Sequence, residues 1–132
     1  MTQEDKELLW KDLCARLPYE VKVKFYDHWV DEYEIIPLTA KLLSDTVYIG
    51  DIKPYLFPLS SMTEEQQEEF DRIYADDMQV VAYNLKNRLD GKPYETNLGH
   101  YRHIDWLNKN HFDYRGLIPK GLALDATGKN IY

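Results

Sequence analysis

Hydrophobic positions recur with two different periods in the first half of the chain. Trp10, Leu13, Cys14 and Leu17 fall at i, i+3, i+4 and i+7, the spacing of one helical face. Thr2 with Asp5 gives that helix an N-cap acceptor and a first-turn carboxylate, and Pro18 ends it. From Glu20 to Tyr26 the period changes to strict alternation. Val21, Val23 and Phe25 lie on one face and Lys22, Lys24 and Tyr26 on the other, as in a half-buried antiparallel strand. Asp27-His28 reads as a turn, followed by strands over Tyr33–Leu38 and Val47–Ile49, the second bounded by Ser44-Asp45 and Gly50-Asp51. Ala40–Leu43 fits either strand or helix. Pro54 and Pro58 hold Lys53–Leu59 extended, as a strap across the body, because a residue before proline is driven out of the helical region.

A long helix then starts at the capping box of Thr63 and Gln66, with Glu64 and Glu65 in its first turn. Phe70, Tyr74, Met78, Val81, Leu85 and Leu89 form its apolar stripe, and Gly91 before Pro93 stops it. Residues 94–99 read as a loop. Ile104, Leu107 and His111, flanked by Trp106 and Phe112, mark a short third helix. Leu117, Ile118, Leu122 and Leu124 should dock a hairpin-like tail that is ordered to about Asp125 and frays beyond. The pattern predicts an α+β domain: a small antiparallel sheet of about three strands, an N-terminal helix, one long central helix and a short C-terminal helix. It is read as a single domain over residues 1–132, comprising helix, sheet and strap (1–59), long helix (60–91), then C-terminal helix and tail (92–132).

Composition narrows the function classes. The 132 residues include one cysteine, Cys14, which cannot form an internal bridge and is expected to be a buried apolar residue in a reducing, cytoplasmic setting. No apolar run approaches the roughly 20 residues of a membrane span, and the opening MTQEDKELL lacks the basic-then-apolar character of a secretory signal. Sixteen Lys and Arg against 23 Asp and Glu give a net charge of −7, which disfavours broad nucleic-acid binding. The charge is uneven. Residues 100–132 carry five basic and three acidic side chains, +2 against −9 for the rest, a modest positive pole suited to a specific anion or an acidic partner.

Candidate chemistry is sparse. His100 and His103, with Asp105 and His111 nearby, supply metal-ligand types, but no HExxH or paired CxxC accompanies them, and the expected alternative is that His100 and His103 face solvent. Ser60-Ser61 lack the flanking glycines of a nucleophile elbow, and no GxGxxG or GxxxxGK[ST] loop occurs. No catalytic residue, metal or cofactor is assigned. The set that stands out is aromatic and basic: Tyr101, Arg102, Trp106, Lys109, His111, Tyr114, Arg115 and Lys120. Trp, Tyr and Arg dominate interface energetics, and eleven tyrosines exceed what a core of this size absorbs.

Two segments carry a resemblance. Lys53–Glu65 reads KPYLFPLSSMTEE and Asp105–Leu124 reads DWLNKNHFDYRGLIPKGLAL; together they span about a quarter of the chain. They resemble segments shared by short proteins of gut anaerobic bacteria and of their phages and mobile elements. The resemblance implies a setting, which favours an accessory role, and carries over no assigned function. The expected function is therefore non-enzymatic binding of a protein partner through the Tyr101–Lys120 segment, as a modulator or inhibitor of a host system. The alternative is a small-ligand or nucleotide binder, or a minor hydrolase, using His103, Asp105, His111 and Arg115.

Overall fold

The computed structural model describes residues 1–91 and 101–132, which form two compact units: Met1–Ser61 with Asn108–Tyr132, and Met62–Leu107. The 94–99 loop and His100 lie outside the described residues.

The first unit opens with α1 (Gln3–Arg16), begun by a reciprocal capping box in which Thr2 Oγ1 accepts from the Asp5 amide at 3.1 Å. Its buried face is set one position away from the expected stripe. Leu9, Asp12, Leu13 and Arg16 are buried, whereas Trp10 is 48 % exposed and Cys14 is exposed. The expectation of a buried Cys14 is thus corrected. The stripe contains an ion pair that an apolar pattern search passes over.

A hairpin follows, β1 (Lys22–Asp27) against β2 (Glu32–Pro37), with Tyr26 opposite Tyr33 and Lys24 opposite Ile35. Asp27 Oδ1 accepts from the Trp29 amide at 2.9 Å, and Asp31 takes the left-handed conformation that closes the turn. The ambiguous segment becomes α2 (Ala40–Asp45), capped by Thr39 Oγ1 on the Leu42 amide. Val47–Ile49 is not a strand. Its place in the sheet is taken by the expected strap, which is β3 (Ile52–Pro58) and pairs antiparallel with β1 through Val23↔Pro54, Lys24↔Lys53 and Phe25↔Ile52. Pro54 is compatible with pairing because it interrupts the ladder at only one amide.

Two short strands bring the sheet to five rather than three. β4 (Phe112–Asp113) and β5 (Leu124–Asp125) both run parallel to β3, at Phe57 and Pro58 and at Tyr55 and Leu56 respectively. Leu9, Leu13, Val21, Val23, Ile52, Leu56, Leu117 and Leu122 make the core of this unit. The chain end is held rather than frayed. Tyr132 Oη donates to the Tyr55 carbonyl at 2.7 Å and accepts from the Lys22 amide at 2.9 Å, while Lys22 Nζ donates to the Ile131 carbonyl.

The second unit is built on α3 (Glu64–Leu89), 26 residues, entered through the Thr63–Gln66 box and followed by Gly91 at φ 69°. Midway along it, the buried Asp77 reaches the start of α4 (Arg102–Lys109), whose residues up to Leu107 belong to this unit. Asp77 Oδ2 accepts from the His103 amide at 2.9 Å and from His103 Nδ1 at 2.6 Å. Phe70 packs on Trp106 with ring centroids 5.7 Å apart. No helix among the described residues is long and apolar enough to cross a membrane.

Candidate binding site

The expected binding set divides between the two units. In the second, Tyr101 is 39 % exposed beside His103, Arg102 lies 3.5 Å from both Asp76 and Asp77, and Trp106 is only 8 % exposed. His103 is not solvent-facing, being buried against Asp77, whose carboxyl burial alone would raise but which the His103 amide and ring, with Arg102, hold below the usual range. In the first unit, Lys109 and Lys120 are exposed, and the other three members are tied into the fold. Arg115 Nη1 donates to the fully buried Asp12 at 2.9 Å, Tyr114 Oη donates to Asn108 at 2.9 Å, and His111 stacks on Tyr132 at 3.9 Å. Burial, helped by the Arg16 charge, pushes His111 down to about 4. Among the described residues, no group of three or more His, Cys, Asp and Glu is placed to hold a metal ion. Of the alternative cluster, His103 and Asp105 belong to the second unit, and His111 and Arg115 to the first.

The first unit carries a different arrangement that sequence reasoning missed. Alternation in β1 turns Val23 into the core and Lys24 and Tyr26 away from it. Register then sets Tyr33 across from Tyr26 on one side and Lys53 across from Lys24 on the other. The tight turn at Ile49–Asp51 carries Asp51 to His28, with Nε2 and Oδ2 2.7 Å apart. A cleft of about 350 Å³ opens between Lys24, Lys53, Tyr26, Tyr33, His28 and Asp51. Its aromatic side is ordered by edge contacts, Tyr26 to Tyr33 at 5.0 Å and Tyr26 to His28 at 4.6 Å, and Lys24 Nζ sits 4.5 Å from the Tyr33 ring centre.

His28 and Asp51 also line a second hollow, of about 340 Å³, with Phe25, Trp29, Val47 and Tyr48. The residues around it are unusually bare for their type: Trp29 is 97 % exposed, Val47 86 % and Tyr48 67 %. Thr46–Gly50 continue into a third hollow of about 500 Å³ beside Met1, Lys6 and Trp10. Asp51 pairs with the His28 imidazole at the edge of the first cleft, beside Lys24, Lys53, Tyr26 and Tyr33. The signal for this surface was present in the alternation of Lys22, Lys24 and Tyr26. It was masked by the −9 charge summed over residues 1–99, which hides local lysines.

Compared with protein-family models, with curated proteins and with solved structures, the chain matches none.

Proposed function

We propose that the chain is a non-enzymatic binding protein whose first unit engages a protein partner through the tip of the β1–β2 hairpin and the adjoining turn at residues 46–51. The observation that carries this reading is Trp29, 97 % exposed at a hairpin tip with Val47 and Tyr48 beside the same hollow. A folded protein gains nothing from a tryptophan held in water. A partner that buries it, together with a valine and a tyrosine, gains the kind of aromatic anchor that dominates interfaces. The likeness of residues 53–65 and 105–124 to proteins of gut anaerobes and their phages and mobile elements supports an accessory role, with the partner a component of a host system.

The test is capture from host lysate by tagged wild type, Trp29→Ser, Val47→Asp and, as the rival surface, Tyr101→Ala with Lys120→Ala. Loss of one stoichiometric protein in the first two variants, at unchanged melting temperature, supports the proposal. Loss only in the double C-terminal variant moves the contact to the Tyr101–Lys120 segment and overturns it.

A further inference from the structure

The register of β1 against β3 sets Lys24 directly opposite Lys53, a like-charge pair. Two like charges directly opposite on an antiparallel pair destabilise it, and neither lysine has an ion-pair partner among the described residues. Lys24 rests instead on the Tyr33 ring. Both lysines line one cleft of about 350 Å³, within the size range of small-molecule sites, in a chain whose net charge is −7. The one carboxylate in the lining, Asp51, is paired with His28, so the lining carries two lysines against one carboxylate.

We propose that this cleft binds a small phosphate monoester carrying a planar ring, the phosphate between Lys24 and Lys53 and the ring against Tyr26 and Tyr33. Lysine ammonium groups act as point charges and suit a tetrahedral dianion that bonds in several directions, whereas a planar carboxylate is matched better by the arginine fork. The tyrosines give the ring an aromatic wall on which a base can stack. Binding also replaces the Lys24–Lys53 repulsion by two attractions to one anion. The site differs from the protein-partner reading in its ligand and in Lys24, Lys53, Tyr26 and Tyr33, and shares His28 and Asp51 with the neighbouring hollow.

The experiment is calorimetric titration of the purified full chain with adenosine 5′-monophosphate, glycerol 3-phosphate, inorganic phosphate and adenosine, at an ionic strength near 0.01 M, where the screening length is ~30 Å. The monophosphate should bind tightest, inorganic phosphate should compete with it, and glycerol 3-phosphate should bind several-fold more weakly. Lys24→Gln and Lys53→Gln should each weaken the monophosphate about tenfold, the equivalent of ~1.4 kcal/mol. The free Lys53→Gln protein should melt at an equal or slightly higher temperature, which separates lost binding from lost folding. The proposal is overturned by no saturable binding up to about 10 mM, by unchanged affinity in Lys53→Gln, or by adenosine or glycerol 3-phosphate binding as well as the monophosphate.

Discussion

Arg16 lies one helical turn beyond Asp12 on α1, and its Nε donates to Asp12 Oδ2 at 2.9 Å with neither side chain reaching solvent. The same carboxylate accepts from Arg115 Nη1 through its other oxygen, and Arg16 Nη2 donates to the Phe112 carbonyl at 2.6 Å. One buried anion therefore joins the first helix to the C-terminal segment. Removing one partner of a buried pair strands the other charge, at a cost of ~3–5 kcal/mol. Asp12→Ala should lower the urea midpoint accordingly with the slope unchanged. Arg115→Ala should cost less, because Arg115 is partly exposed and Asp12 keeps Arg16. Equal midpoints for Asp12→Ala and wild type would show that the pair holds nothing together.

That pair also marks where the sequence became hard to read. The caps at Thr2 with Asp5 and at Thr63 with Gln66 were legible because each is a local device acting within three residues. The β1 alternation was legible because one face is buried. The α1 stripe was misjudged because Asp12 and Arg16 are buried only by virtue of Arg115 and Phe112, about a hundred residues away. The number of strands failed for the same reason. The dipeptide strands β4 and β5 have no period of their own and exist only as additions to β3. The β1–β3 face was not legible as a site, because the Lys24–Lys53 and His28–Asp51 pairings depend on register and on a turn.

His111 gives the fold an acid-sensitive joint. Its buried Nδ1 has no hydrogen-bond partner among the described residues, and burial holds the ring neutral in the folded chain down to about 4. In the unfolded chain it takes a proton below about 6.5. The unfolded state therefore binds more protons between these values, so the stability His111 contributes is present above pH 6.5 and lost as the pH falls towards 4. Melting curves between pH 8 and 4 should fall more steeply for wild type than for His111→Asn. Asparagine tolerates the backbone φ of 62° at this position, so it removes the titration without straining the turn. Parallel curves would mean that His111 is free to protonate in the fold.

Tyr132 makes the opposite statement at alkaline pH. Burial pushes its hydroxyl up to about 12, against the lowering by the Lys22 amide and the Arg16 charge. The folded chain keeps a proton that the unfolded chain releases above about 10, so stability is lost as the pH rises from 10 towards 12. Tyr132→Phe keeps the stack on His111 and removes that loss. Its melting temperature should be lower than wild type at pH 8, since the bonds to Tyr55 and Lys22 go, and should change less than wild type between pH 9 and 11.

Asp77 holds the start of α4 from the middle of α3, and its loss should be felt there first. With Asp77→Ala, the His103 amide and Nδ1 lose their acceptor in a buried setting, which costs about 2 kcal/mol. Hydrogen exchange at the His103 amide should speed up roughly thirtyfold if opening of α4 limits it, while the Val23 and Leu56 amides of the first unit keep their wild-type rates. Uniform acceleration across both sets would instead make Asp77 a determinant of global unfolding.

Cys14 lies on α1 beside Leu13, yet it points away from the face that buries Leu9, Asp12, Leu13 and Arg16. A solvent-exposed thiol reacts without any opening of the fold, so an aromatic disulfide reagent should titrate one equivalent from the native chain in a single phase. Added urea should change that rate by no more than a few-fold, because access is already complete before unfolding. Air oxidation should then give a covalent dimer that melts near the temperature of the reduced chain, the link being on the surface of a helix that keeps its core contacts. Labelling that appears only through the unfolding transition would place Cys14 on the buried side and return α1 to the register that its apolar residues alone suggest.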